Sequence, residues 1–143
     1  MKKIALQLFS VMLLVLFTQI SQGQTIFDYR STWKYLDNGS NQGTAWTGTG
    51  FNDAAWVSDT GWFGYGDPAF VTKCLNACGT VSCAPSCGSK YITTYFRKVV
   101  NIPNIALFDS MIFNIILDDG FVVYVNGVEV WRNNLPTGTI SNT

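Results

Sequence analysis

The sequence predicts an all-β fold of the antiparallel sandwich kind, and three observations carry that expectation. Short runs rich in Tyr, Phe, Trp, Val, Ile and Thr recur along the chain, separated by Gly, Asn, Asp or Pro. No segment after the N-terminal apolar stretch repeats its apolar residues at helical spacing. Towards the end, Asn126-Gly127 stands between two β-type runs, and this dipeptide tolerates the positive φ angles of a two-residue hairpin turn.

The N-terminus reads as an export signal. Lys2 and Lys3 make a basic start, Ile4 to Phe17 an apolar core and Ser21-Gln22-Gly23 a small-residue cleavage site, so residues 1–23 are expected to be removed. A retained anchor is the alternative, but Gln7 and Ser10 interrupt the run, which is short of the about 20 apolar residues a span requires. Residues 24–143 then form one domain of 120 residues, secreted or held at the cell surface and with no membrane attachment. Without Lys2 and Lys3, nine Lys and Arg fall to seven against nine Asp and Glu, a formal charge of −2. No basic block exists to meet phosphates, which argues against nucleic acid as a partner. The chain has no His, so a Ser-His-Asp triad, a Cys-His pair and a His-ligated metal are excluded within it.

Residues 37–90 are rich in Gly, Asn and Asp yet carry Trp46, Phe51, Trp56, Trp62, Phe63, Tyr65 and Phe70. A disordered stretch would lack so many aromatics, so long ordered loops folded over one end or edge of the sandwich are expected. Within them Cys74, Cys78, Cys83 and Cys87 form a Cys-rich loop over 74–87. Four thiolates at this spacing suit zinc, but export favours two disulfides, with the connectivity open. Asn38-Gly39-Ser40 matches a glycosylation acceptor, a pattern short enough to arise by chance.

Two further runs alternate as strands. Over 91–100, Ile92, Thr94, Phe96, Lys98 and Val100 fall on one side and Tyr91, Thr93, Tyr95, Arg97 and Val99 on the other. Over 110–117, Met111, Phe113, Ile115 and Leu117 share a face, with Asn114 opposite. Both are expected to be strands with a strongly buried face.

The segment 117–136 combines a hairpin with polar residues. Phe121, Val123 and Val125 are expected to share a face with Val128 or Val130 across the Asn126-Gly127 turn, while Tyr124 faces away. Asp118 and Asp119 precede Gly120 in the entry turn; adjacent carboxylates diverge in extended chain, which disfavours a glycosidase pair. Their bland reading is turn chemistry and their alternative is calcium. Trp131 closes the second strand beside Arg132 and polar loop residues, which makes it the leading exposed aromatic. Trp62 and Tyr65 follow, flanked by glycines that admit a ligand to the backbone. Most Trp residues in such a domain serve as core. The candidate ligand-binding set is therefore Trp62, Tyr65, Asp119, Asn126, Trp131 and Arg132, with no catalytic residue and no cofactor unless calcium binds Asp118 and Asp119.

The segments at "WKYLDNG", "FNDAAW", "GWFGYGD", "TTYFRKVV" and "LDDGFVVYVNGVEVWRNNLP" together resemble the galactose-binding-like jelly-roll β-sandwich modules of secreted bacterial multidomain proteins. The resemblance spans about residues 30 to 140 and implies structural roles for Phe51, Asp53 and Trp56 and a sheet strand at Tyr95, Phe96 and Arg97. Residues 117–127 are also similar to a PA14-type sandwich, in which this turn holds calcium and sugar. The family ordinarily continues past the point where this chain stops, and the four-cysteine insert is not general to it, so 24–143 is expected to be a jelly-roll truncated at the C-terminus.

Three roles follow as expectations. The leading one is an exported, non-catalytic accessory module at the N-terminal end of a larger secreted protein, binding a glycan or cell-surface polysaccharide and followed by downstream domains. The second is the front part of a secreted hydrolase, such as a metallophosphoesterase or glycoside hydrolase. The third is a structural or adhesion spacer with no small-molecule ligand.

Overall fold

The computed structural model describes residues 23–64, 71, 73–75 and 91–140. The export-signal residues up to 22, together with Tyr65, Cys78, Cys83 and Cys87, lie outside the described residues.

Seven strands and two short 3-10 turns make up the regular structure, with no α-helix among the described residues. The strands are β1 Thr32–Leu36, β2 Val57–Thr60, β3 Phe63–Gly64, β4 Lys73–Cys74, β5 Tyr95–Arg97, β6 Phe121–Val125 and β7 Val128–Asn133. They form an antiparallel three-stranded sheet in the order β2-β1-β5, a parallel β3-β4 pair and the antiparallel β6-β7 hairpin. The fold is all-β, as the sequence predicts.

The central sheet presents aromatic residues on both faces, because β1 and β5 alternate in register. Tyr35 stands opposite Phe96, and both meet Phe63 with ring centroids 5.2 Å away. On the other face Leu36 stands opposite Tyr95, whose ring meets Trp46 at 5.1 Å and Trp56 at 6.2 Å. The buried apolar residues are Tyr35, Trp56, Leu75 and Tyr95. Three of these four are aromatic, and edge-to-face ring pairs add about 0.5–1.5 kcal/mol each beyond the area they bury. The loop between β1 and β2 is ordered as expected: it brings Trp46, Phe51 and Trp56 together over the sheet.

Two strand expectations need correction. The run over 91–100 pairs only at Tyr95–Arg97. Its partner β1 ends at Leu36, and Tyr91 instead lies against Gly39, so 91–94 has no strand beside it with which to hydrogen bond. Val99 is 85% exposed. The run over 110–117 is not a strand, and Met111, Ile112, Ile115, Ile116 and Leu117 are exposed. Alternation describes which side a residue would face; a strand also requires a neighbouring backbone, and none of the described strands pairs with this segment.

The hairpin has the expected turn, with φ of 51° at Asn126 and 84° at Gly127. Its register shifts between Val123 and Tyr124, which pair with Trp131 and Glu129 and leave Val130 as an extra residue. Val125 pairs with Val128 and Val123 with Trp131, so Trp131 shares the face of Phe121, Val123 and Val125. It is an interior residue of β7 rather than the end of the strand. Tyr124 faces the other way, as expected, and packs edge-on against Trp46 at 5.6 Å.

Candidate functional site

The apolar face of the β6-β7 hairpin is the most open feature. Phe121 and Trp131 meet perpendicularly with centroids 4.7 Å apart, which fixes the indole while leaving the residue 40% exposed. Beside the indole, Met111, Phe113, Val125 and Val130 complete a shallow trough of about 550 Å³. The bulge at Val130 twists this edge of the hairpin and brings Trp131 into line with Val123.

The sequence-selected residues do not converge on one point. Asp119 precedes β6 and Asn126 follows it, so the two polar candidates lie at opposite ends of a five-residue strand. At about 3.3 Å per residue they are roughly 20 Å apart along the chain. Asp118 and Asp119 are exposed in the bend before β6. Among the described residues no cluster of three or more His, Cys, Asp or Glu is placed to hold a metal, and Asp118 with Asp119 supplies only two carboxylates where calcium takes six to eight oxygens.

Arg132 is committed to the fold. Its guanidinium makes a paired contact with Glu129, Nε to Oε1 at 2.8 Å and Nη2 to Oε2 at 2.7 Å, and also donates to the carbonyls of Pro136 and Gly138. The hydrogen bond to Arg132 holds the Glu129 carboxyl below its ordinary value. The guanidinium thus ties the segment after β7 back to the hairpin. Trp62 belongs to a different cluster, with its ring 6.2 Å from Tyr29 and its carbonyl accepting from Lys73 N–H. Cys74 lies in β4.

One cluster escaped the residue-by-residue reading. Asp53 accepts from Lys34 Nζ at 2.7 Å and from Arg97 Nε at 2.9 Å. Arg97 also donates to the carbonyls of Trp46 and Gly48, and its guanidinium lies 5.2 Å from the Phe51 ring centre. These bonds pin the loop between β1 and β2 to the sheet. The hydrogen bond from Lys34, followed by that from Arg97, outweighs desolvation and holds the Asp53 carboxyl below its ordinary value. The sequence contained a signal for this, since Lys34 and Arg97 fall on the same face of paired strands; the register that pairs them is not readable from periodicity alone. All three charges are satisfied by one another, which makes the cluster structural.

Comparison with protein-family models, with curated proteins and with solved structures finds no match. Among the described residues no helix is long and apolar enough to cross a membrane.

Proposed function

We propose that the chain is an exported, non-catalytic accessory module of a larger secreted protein, with a galactose-binding-like jelly-roll fold and a polysaccharide as ligand. The observation that carries this reading is Trp131, an indole held on edge by Phe121 and open to solvent above an apolar trough. An aromatic platform of this kind stacks on the apolar face of a sugar ring, and a weak site rests on one or two such platforms. Asp119 and Asn126 flank Trp131 from the two ends of β6, too far apart to hold a single sugar. They fit the neighbouring units of a chain, so the ligand class is a polysaccharide rather than a monosaccharide. Trp62, in its separate cluster with Tyr29, is the second candidate platform.

The wholly apolar lining of the trough favours one second reading, a spacer or adhesion module that docks protein through the same face. Retention on insoluble polysaccharide separates the two. Trp131→Ala is expected to abolish retention with circular dichroism unchanged; retention that persists in this variant excludes the Trp131 platform.

The Cys-rich loop belongs to the same reading as an exported elaboration closed by two disulfides. The intact oxidised protein is expected to weigh four hydrogens less than the fully reduced chain, whose four cysteines are Cys74, Cys78, Cys83 and Cys87. Four titratable thiols, or stoichiometric zinc, would contradict it.

A further inference from the structure

We propose that Asn38 is a site of spontaneous self-modification, at which the chain closes its own side chain onto the backbone nitrogen of Gly39 and releases ammonia. The two Asn-Gly steps, at 38–39 and 126–127, are the same dipeptide in different surroundings. Only the first has its carboxamide oxygen engaged by a built set of donors.

Asn38 is exposed in the turn that leaves β1. Its Oδ1 accepts from Ser40 N–H at 3.0 Å and from the Ser40 hydroxyl at 2.5 Å. Gln42 Nε2 donates to that hydroxyl at 2.8 Å, polarising it further, and Gln42 N–H donates to the hydroxyl of Tyr95 at 3.3 Å. Tyr95 is part of the buried core, so the donors are held by the fold rather than by the turn alone. Gly39 has φ of +73°, and an added Cβ would lie 2.5 Å from the Tyr91 ring. Glycine is therefore required there, and its nitrogen has no side chain to hinder attack.

The chemistry follows from this placement. Gly39 N loses its proton to solvent hydroxide and attacks Asn38 Cγ, and the developing charge falls on Oδ1, where the two Ser40 donors already point. Preorganised donors at an incipient oxyanion lower the barrier. The intermediate expels Nδ2 as ammonia, with a proton from water, to give a five-membered succinimide. Water then opens either carbonyl, leaving aspartate or isoaspartate at 38. No electrons are transferred, and water is the only co-reactant. The product adds a negative charge next to Asp37 and removes the amide on which a glycan at this sequon would be built. At Asn126, by contrast, the φ of 51° and the Val125–Val128 rung lock the backbone as a tight turn, which restrains the following nitrogen from reaching its own side chain.

The test incubates the folded full chain at mildly alkaline pH and follows both sites by peptide mapping with fragment sequencing. Asn38 is expected to convert several-fold faster than Asn126, and the ratio to shrink when the same chain is held in urea. Ser40→Ala should slow Asn38 by about five-fold, the effect of one net hydrogen bond on a rate, with Asn126 as an unchanged internal control. Equal rates at the two sites in the folded chain, a ratio that is the same in urea, or no effect of Ser40→Ala would each overturn the proposal.

Discussion

At Asp53, one carboxylate joins three parts of the molecule. Its partners Lys34 and Arg97 come from adjacent strands, and Arg97, with its side chain only 11% exposed, also anchors the Trp46 and Gly48 carbonyls. Asp53→Asn keeps the shape but removes the charge, leaving the guanidinium poorly compensated; the expected cost is about 2 kcal/mol in urea unfolding. The pH dependence has a definite sign. Because the folded carboxyl is held below its ordinary value, its contribution is complete above the unfolded aspartate range of about 4 and is lost as pH falls through the lower folded value. Melting curves of the wild type and Asp53→Asn should therefore converge in acid and separate towards neutrality. A constant gap at all pH values would show that the charge is not the cause.

Among the elements, the hairpin was the most legible in the sequence because its information is local. Asn126-Gly127 specifies the turn, and the flanking Val and aromatic residues specify the strands. Gly127→Val forces a β-branched residue into φ of 84° and should destabilise the hairpin by about 1–2 kcal/mol, whereas Asn126→Gly should be nearly neutral. Hydrogen exchange of the β6 and β7 amides is the direct readout. The bulge was not legible: one extra residue at Val130 moves Trp131 onto the Phe121 face, and nothing in the composition distinguishes Val130 from Val128 in that respect. The failures at 91–100 and 110–117 have a common cause. Their alternation was read correctly, but strand formation depends on a distant partner, and β1 stops at Leu36 while 110–117 has no described partner. Of the candidate site, the exposed indole was legible; the separation of Asp119 from Asn126 and the internal commitment of Arg132 required three dimensions.

For the whole molecule, the distribution of apolar surface is the dominant property. The aromatic cluster around Tyr35, Trp56 and Tyr95 forms a small core, while the segment from Ile105 to Leu117 and the outer hairpin face carry many exposed apolar side chains. Contiguous surface of this kind marks an interaction site or an association liability. The chain is expected to bind a hydrophobic dye in its native state, and the double change Ile112→Lys with Ile116→Lys should reduce that signal without altering the melt. A wild-type chain that leaves the dye dark would mean this surface is covered in solution. The proposed role depends on one patch within it, the open indole of Trp131. Oxidative footprinting of the chain with and without an insoluble polysaccharide that retains it tests that claim most directly. The account predicts that Trp131 becomes protected on binding; retention with Trp131 labelled equally in both states would contradict it.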